Sequence, residues 1–524
     1  MLSKADVKRL LSERFKDDKH TSLSDLPLPS AFKNIEKAAN RIKEAIDSNE
    51  KVAIVGDYDV DGVISCVILS EFFDDIGFDY IVKIPNRFKD GYGLNVNLIK
   101  ELQNAGVSLI ITVDNGIAAL EAGEFCKNAD IDLIITDHHT PQNELPQAFA
   151  IINPKQKDCP FPNIEICGAQ VAWYLVAMIK KVCKITYDMC KFIDLLAIAI
   201  IADMMELRDL NRVLVRQGLK QINASKRPAF KAVKAMFQKE NFDYEHFGFL
   251  IAPLLNSAGR MDDASLTYEF LRTKSADEAA RLLNEISSLN EVRKTQEREL
   301  FEECLEQISK DDEIIIVHKK GWHEGVLGIV ASRLARHFNK PSFVFSENEG
   351  KLKGSARTVG QIDILKLIEA QSDLLLAFGG HKGAAGLSLE SANLEKLRLN
   401  LNSEVASFDK EEFLSTDEIL GELNAKDIDF ELLEILESFE PYGQKNPKPL
   451  FKFQKLKIKH IKKLGKDERH LKLILDSAGT SLEAVFFNFN KEPNIDEELS
   501  FTAYICKNAY RGLISAQLVI KEFL

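Results

Sequence analysis

Short apolar runs alternate with stretches of helical periodicity over the first 215 residues. Residues 51–55 (KVAIV), 107–113 (VSLIITV) and 131–136 (IDLIIT) are rich in β-branched side chains, which is typical of buried strands. Helical patterns separate these runs, as at 63–73 (VISCVILSEFF). Strands that alternate with helices predict an α/β fold built around a parallel sheet.

The pattern changes farther along the chain. Residues 276–309 have apolar positions at helical spacing and no Pro or Gly, which predicts a long connecting helix. A second α/β region begins near residue 312, and short β-type runs after residue 450 predict a small β-barrel. The predicted parts are an N-terminal helical segment, an α/β domain, connecting helices, a second α/β domain and the barrel, at 1–49, 50–215, 216–311, 312–405 and 413–524.

Composition narrows the class of protein. A chain of 524 residues predicts two to four domains. Its 45% hydrophobic and 28% charged residues are typical of soluble globular proteins, and no apolar run approaches the ~18 residues of a membrane span. The start (MLSKADVKRLLSERF) predicts an amphipathic helix and not a signal peptide. Eight cysteines without a CxxC pair indicate reduced core residues of a cytoplasmic protein. The net charge of −12 means that any nucleic acid must meet a local basic face.

Acidic residues and histidines follow three of the predicted strands. Asp57, Asp59 and Asp61 come after the first strand at alternate positions, which would point to one side of an extended segment. The next two strands are followed by Asp114 and by the pair Asp137 and His138, with His139 beside them. The carboxyl ends of parallel strands meet at one edge of a sheet. Each group alone could be an acidic loop at a strand end, but three together favour a metal site.

Asp203 interrupts an otherwise apolar helical run at 194–207 (DLLAIAIIADMMEL). A buried carboxylate without a partner is costly, so this residue needs one. The sequence leaves two interpretations open: a helix cap or buried ion pair, and a further carboxylate that reaches the same metal site.

The motifs DYDVDG (57–62), VDNG (113–116), DHH (137–139) and AD (202–203) together resemble the DHH phosphoesterase superfamily. Within that superfamily, the downstream sequence resembles the bacterial RecJ single-strand-specific exonucleases. The motifs that carry this resemblance are LLNSAGRMDDAS, GWHEGVLGIVASRL, KGSAR and FGGHKGAAG, at 254–265, 321–334, 353–357 and 378–386. It implies a parallel-sheet DHH catalytic domain, a DHH-associated substrate-binding domain and a C-terminal barrel of the oligonucleotide-binding (OB) type.

The resemblance also implies a site for two divalent metal ions, Mn²⁺ or Mg²⁺. Asp114 matches the bridging position, and Asp59 would favour one of the ions. Asp61, His138 and Asp203 would hold the other, while Asp57 stands where related phosphatases have a metal-binding His. His139 would face the phosphate as a catalytic residue. The implied metal ligands are therefore Asp57, Asp59, Asp61, Asp114, His138 and Asp203.

Substrate residues follow from the same motifs. Gly379, Gly380 and His381 are expected to form a glycine turn whose N–H groups cradle a phosphate, although a plain turn is the alternative. The candidate substrate-binding residues are Asn115, Asn256, Arg260, Ser355, Arg357, Gly379, Gly380 and His381. In the barrel, residues 455–472 have eight Lys and Arg against two acids, which suits either a solvated face or strand binding. The candidates there are Lys459, Lys462 and Lys463.

These expectations combine into an exonuclease that hydrolyses single-stranded DNA 5′-to-3′ to mononucleotides in DNA repair and recombination. The implied partners are single-stranded DNA, a helicase and a single-strand-binding protein, with no membrane. Two alternatives stay open: a phosphatase for short oligonucleotides or nucleotides, and a non-catalytic DNA-binding scaffold. Three residues depart from the RecJ pattern near the site and leave rate and metal preference open: Gln170, Ala199 and Ile200.

Overall fold

The computed structural model describes residues 1–309, 312–413, 418–465, 467–477, 479–489, 492–510 and 513–524. Within them, three sheets form the framework of the molecule. Short 3₁₀ turns connect the longer elements at Leu23–Asp25, Pro29–Ala31, Met189–Phe192, Ser372–Leu374, Ser391–Asn393, Lys410–Phe413 and Ala425–Asp427. None of the helices in these ranges combines the length and the apolar character that crossing a membrane requires.

The first α/β domain follows two N-terminal helices, α1 (Lys4–Glu13) and α2 (Ile35–Asp47). Its parallel sheet has the order β2-β1-β3-β4-β5, as the alternating pattern predicts. Its elements are β1 (Val52–Val55), α3 (Val60–Ile76), β2 (Tyr80–Lys83), α4 (Val96–Asn104), β3 (Leu109–Val113), α5 (Leu120–Asn128), β4 (Asp132–Thr136), β5 (Ala150–Ile152), α6 (Gly168–Val182), α7 (Ile193–Ala202) and α8 (Asp209–Ala224). Helices α3, α6 and α7 share one core with the sheet, and α4 and α5 cover its other face.

A set of helices then leads to the second α/β domain. They are α9 (Pro228–Phe237), α10 (Tyr244–His246), a π turn at Phe247–Ile251, α11 (Ala252–Met261), α12 (Ser265–Arg272) and α13 (Ala276–Leu305). Helix α13 is the long helix that the periodicity predicts. Leu282 and Ile286 near its start pack into the first domain, and Leu300 and Phe301 near its end pack into the second. One rigid helix therefore spans both α/β domains.

The second α/β domain contains β6 (Ile315–Lys320), α14 (Glu324–Phe338), β7 (Ser342–Asn348), β8 (Lys351–Arg357), α15 (Ile364–Glu369), β9 (Leu375–His381), β10 (Ala384–Glu390) and α16 (Leu394–Val405). The sheet order is β6-β7-β8-β10-β9. The predicted glycine turn is wrong, because Gly379, Gly380 and His381 belong to the edge strand β9. They pair with Gly386, Ala385 and Ala384 of β10, and only the two residues after His381 connect these strands.

The C-terminal elements are β11 (Ile419–Glu422), α17 (Phe430–Ser438), β12 (Leu450–Leu464), β13 (His470–Ser477), β14 (Thr480–Phe487), β15 (Glu498–Tyr510) and β16 (Leu513–Phe523). Strand β12 pairs with β15 in its first half and with β13 in its second, with an irregular register between Phe453 and Leu456. This double pairing closes β12, β13, β14, β16 and β15 into a barrel, which confirms the predicted OB-type fold.

The N-terminal segment connects the barrel to the first domain. Val7 and Leu11 of α1 are fully buried in the apolar core of the barrel, and the Leu2 N–H donates to the Glu422 C=O at 2.6 Å. Farther along, Asp18 accepts a hydrogen bond from Arg208 Nε at 2.8 Å, and α2 packs against α6. Residues 1–49 are therefore shared between two cores.

All eight cysteines lie in the described ranges, and each is a free thiol. Cys66, Cys126, Cys167 and Cys304 are buried as predicted, whereas Cys190 is exposed.

Candidate active site

The first acidic group lies where β1 ends. The extended conformation expected for residues 57–61 is wrong, because α3 already begins at Val60. Asp59 is the N-cap of that helix, and its Oδ1 accepts a hydrogen bond from the Gly62 N–H at 3.1 Å. Asp is favoured at this position because it satisfies a free helix donor. Asp61 then lies in the first helical turn and faces a different direction from Asp57 and Asp59.

Three overlapping groups of ligands result, and Asp114 belongs to two of them. The ligand atoms of each group lie within 4.8 Å of one another, and the groups are Asp57, Asp59 and Asp114, then Asp61, His138 and Asp203, and finally Asp114, His138 and His139. Asp114 Oδ1 is 3.2 Å from His138 Nε2, which links it to the second group as well. Asp114 reaches this position at the end of β3 with a left-handed backbone, φ 62°. The structure thus brings all six predicted ligands together and gives Asp114 the shared position.

Asp203 enters the second group from the end of α7, where it is the C-cap. Its Oδ2 lies 3.5 Å from His138 Nε2, and Asp61 Oδ2 lies 3.8 Å from the same nitrogen. This largely apolar helix therefore ends with the Asp203 carboxylate beside the cluster.

The N-terminus of α6 holds Asp61 from the other side. Its Oδ2 accepts the Gly168 N–H at 2.6 Å, and its Oδ1 accepts the Ala169 N–H at 2.9 Å. A Cβ at Gly168 would lie 2.3 Å from Asp114 Oδ1, so only glycine allows this approach. Gln170 closes the first turn, with its Oε1 accepting the Cys167 N–H at 2.9 Å. Gln170, which departs from the RecJ pattern, therefore supports the helix that positions Asp61. The other two departures, Ala199 and Ile200, are buried core residues of α7.

The electrostatics of the cluster favour cations. Burial raises the pKa of Asp61 to about 6, and it raises the pKa values of Asp57, Asp114 and Asp203 well above their ordinary range, with neighbouring carboxylates adding to each effect. Asp57 Oδ1, Asp114 Oδ1 and Asp203 Oδ2 are buried without a hydrogen-bond partner among the described residues. Burial, with the neighbouring His139, lowers the pKa of His138 to about 3, so its ring is neutral and free to ligate. Carboxylate oxygens with one imidazole suit Mn²⁺ or Mg²⁺, so these residues fit two such ions.

Asp137 holds the backbone of both histidines and the ring of His139, a role that its position in the sequence does not state. Its Oδ1 accepts the N–H groups of His138 and His139 at 2.7 and 3.0 Å and contacts His139 Nδ1 at 2.7 Å. Its Oδ2 accepts the Ile117 N–H at 2.9 Å. Burial acts to lower the pKa of His139, but the bond to Asp137 prevails and raises it to about 9. His139 is thus a cation whose side chain is 47% exposed. Asp137 is the first residue of the DHH motif, and this is the feature of the sequence that could have indicated its role.

Two asparagines lie near the cluster but serve the backbone. Asn115 Nδ2 donates to the C=O groups of Val55 and Val113 at 3.0 Å, and its Oδ1 accepts the Leu94 N–H at 3.1 Å. Asn115 is fully buried and its amide is engaged on both sides, and its expected contact with substrate stays a prediction. Asn256 Oδ1 accepts the Val60 N–H at 3.0 Å and so helps to fix the start of α3.

Two arginines lie where the α/β domains meet. Arg260 Nη1 donates to the Gly325 C=O of α14 at 3.3 Å, and burial, with the nearby Arg87, lowers its pKa to about 10. Arg357, at the end of β8, has its Nη1 bonded to the Ala356 C=O at 2.8 Å. Neither guanidinium has a carboxylate within 4.0 Å among the described residues, because none of the ion pairs in that part of the chain includes Arg260 or Arg357. Two partly buried cations without acidic partners can receive an anion between them.

The edge strand β9 brings His381 to the same place. His381 of β9 pairs with Ala384 of β10, which pairs in turn with Arg357 of β8. In the same way, Gly379 lies in register with Gly386 and Ser355. Burial lowers the pKa of His381, and the positive charges of Arg357, Lys155 and His139 lower it further. His381 therefore lies in the cleft between the two α/β domains, near the positive charges of Arg357, Lys155 and His139, and belongs to none of the groups of ligands.

The barrel lysines lie on β12, away from this cleft in sequence and fold. Lys463 Nζ is 2.9 Å from Glu492 Oε2, so this ammonium is already paired. Lys459 and Lys462 are exposed, and no carboxylate of the described residues forms a salt bridge with them. Lys466 of the predicted basic run lies outside the described residues. Among the described residues of this face, Lys457, Lys463 and Lys472 are paired with acids, so fewer ammonium groups are free than the sequence count indicates.

Comparisons with known proteins agree with the three domains. Residues 51–200 match the model of the DHH family N-terminal domain, residues 311–407 match the DHHA1 domain and residues 419–522 match the RecJ OB domain. The chain is 34% identical to a protein from Haemophilus influenzae named single-stranded-DNA-specific exonuclease RecJ, over 95% of this chain and 92% of that one. It is also 34% identical to the protein of the same name from Bacillus subtilis, but spans 65% of its length.

A solved structure shows the same arrangement of domains. The crystal structure of RecJ in complex with Mn²⁺ from Thermus thermophilus superposes with a TM-score of 0.86 at 26% identity. The match covers 99% of this chain and 75% of that one. The corresponding structure with Mg²⁺ gives a TM-score of 0.78.

Proposed function

The chain belongs to the RecJ family of the DHH phosphoesterases, and from that membership we propose that it is a metal-dependent exonuclease for single-stranded DNA. One observation of this structure carries the proposal: two groups of largely buried ligands share Asp114 and lie near the guanidinium of Arg260. Direction from 5′ to 3′ and release of mononucleotides rest on the likeness to the family.

The residues of each group have distinct roles. Asp57 and Asp59 would hold one ion and Asp61, His138 and Asp203 the other, with Asp114 shared; the metals named in the Thermus structures are Mn²⁺ and Mg²⁺. Ions held by these residues would supply activation of the attacking water and neutralisation of the charge that develops during phosphoryl displacement.

The remaining groups act on the DNA backbone. Arg260, Arg357 and Ser355 bind phosphates and hold the strand without reading its bases. His139, a cation held by Asp137, donates a hydrogen bond to the scissile phosphate. The cleft between the two α/β domains, which α13 connects, would admit one strand and exclude a duplex.

Single strands must then come from a duplex. The proposal therefore includes a helicase that unwinds DNA and a single-strand-binding protein, at work in DNA repair and recombination in the cytoplasm. The runner-up, a phosphatase for short oligonucleotides, has less support because a small substrate needs neither the barrel nor its exposed lysines.

The experiment is release of nucleotides from single-stranded DNA with Mn²⁺. Asp114→Ala should abolish hydrolysis, because both groups lose a ligand, while strand binding and folding persist. Asp132→Ala is the matched control, since this acid starts β4 at the opposite edge of the same sheet and pairs with Arg41. Activity of Asp114→Ala above about a tenth of wild type would refute the two-metal assignment.

A further inference from the structure

Phe249 is the most exposed large apolar residue among the described residues, with 85% of its surface accessible to solvent. Met204, which follows the metal-cluster residue Asp203, is 67% exposed. Isolated apolar residues are common on protein surfaces. A Phe ring this exposed, however, contributes none of the stabilisation that burying it would give. Phe247, two positions earlier, is fully buried.

The sequence explains why the helix presents this ring. Proline has no backbone N–H, so Pro253 cannot donate to the Phe249 C=O four residues earlier, and its ring crowds that carbonyl. The helix widens in response into the π turn Phe247–Ile251, where the Ala252 N–H donates to the Phe247 C=O five residues back. Such π turns are frequent at functional sites.

The π turn lies between the metal cluster and the barrel. A Cβ at Gly248 would lie 3.5 Å from Ile201 Cγ2, and Ile201 precedes Asp203 by two residues. In the other direction, Tyr244 is buried in the core of the barrel, with its ring 6.1 Å from that of Tyr442.

Phe249 lies on the same exposed stripe as the partly exposed residues of α11. Pro253, Asn256 and Arg260 are partly exposed, the residues between them are buried, and Phe249 is exposed about one turn before Pro253. Asn256 and Arg260 on this stripe bond to Val60 and to Gly325, at the active site and at the junction of the domains.

From this arrangement we infer that Phe249, with Met204 beside the cluster, is a stacking platform for one base of the DNA strand as it passes from the barrel to the metals. The inference rests on the proposed function and adds a substrate contact to it. Every base has an apolar face, so an exposed ring binds a strand of any sequence. The flexible thioether of Met204 adapts to purines and pyrimidines alike.

The test uses oligonucleotides with phosphorothioate linkages that resist hydrolysis and with 2-aminopurine at one position from the 5′ end. Stacking on an aromatic ring quenches this base, so wild type should quench it at one or two positions only. Phe249→Ala and Phe249→Leu should lose the quenching and weaken strand affinity about tenfold, the size of one lost stack. Phe249→Tyr should retain both, because it keeps the ring.

Phe430→Ala is the matched control. This Phe is also highly exposed, but it lies on α17 between Asp429 and Glu431, whose charges repel DNA. The platform is refuted if either Phe249→Leu or Phe249→Ala shows the same 2-aminopurine quenching and the same strand affinity as wild type. The ring would then suit a protein partner instead. Hydrolysis of unmodified strands by wild type is scored separately, so failure of the proposed function is distinguishable from failure of the platform.

Discussion

Gly168, the first residue of α6, is the position where one added methyl group should most disturb the metal cluster. A Cβ there would lie 2.3 Å from Asp114 Oδ1 and 2.6 Å from Asp114 Cγ. An ordinary carbon–oxygen contact is about 3.3 Å, so Gly168→Ala must separate these groups by about 1 Å. Neither moves freely, because the Gly168 N–H holds Asp61 Oδ2 at 2.6 Å and Asp114 is buried.

The size of the effect follows from this displacement. Metal sites tolerate errors of about 0.2 Å in ligand distance, and a misplacement of about 1 Å costs about 100-fold in rate. Overpacking in a core costs about 1–3 kcal/mol of folding free energy, which a chain with this many buried residues survives. We therefore expect Gly168→Ala to fold, to bind less Mn²⁺ and to hydrolyse single-stranded DNA about 100-fold more slowly.

Metal content, thermal unfolding and nucleotide release would be measured on the same preparation. Gly248→Ala is the matched control, because its Cβ would meet Ile201 Cγ2 at 3.5 Å, an ordinary contact, in another helical turn. Full metal content in Gly168→Ala, with a rate within threefold of wild type, would show that α6 does not set the position of Asp114.

Three further predictions concern stability and the barrel. In metal-free protein the pKa of Asp61 is raised to about 6, so the folded state keeps a proton that the unfolded state loses near pH 4. Metal-free stability should fall as pH rises from about 4 to 6, and the gain in Tm on adding Mn²⁺ should grow over that range; a constant gain would contradict this. Leu11→Ala, in the fully buried face of α1, should cost about 3 kcal/mol and loosen the barrel in hydrogen exchange, while the metals stay bound. Replacing Lys459 and Lys462 with Ala should reduce the salt slope of strand binding by about 1.4, whereas Lys463→Ala, already paired with Glu492, should change it less.

Local patterns in the sequence were enough to predict the main strands, the long helix and the metal-binding residue types of this protein. Runs of β-branched residues with an acid or histidine directly after them predicted strands that deliver ligands to one edge, and the structure places Asp114 and His138 there. This succeeds because strand and helix periodicity is a local property, and because parallel strands necessarily end on the same side of a sheet.

The division of those ligands into groups, and the residues that surround them, depend on how distant elements pack together. Alternate spacing suggested one shared direction for Asp57, Asp59 and Asp61, but capping of α3 by Asp59 turns Asp61 towards α6. Likewise, nothing near Gly168 in the chain reveals that it touches Asp114, 54 positions earlier, at a distance that excludes any side chain. Such contacts arise when separate elements pack against each other, and local sequence patterns carry no distances between them.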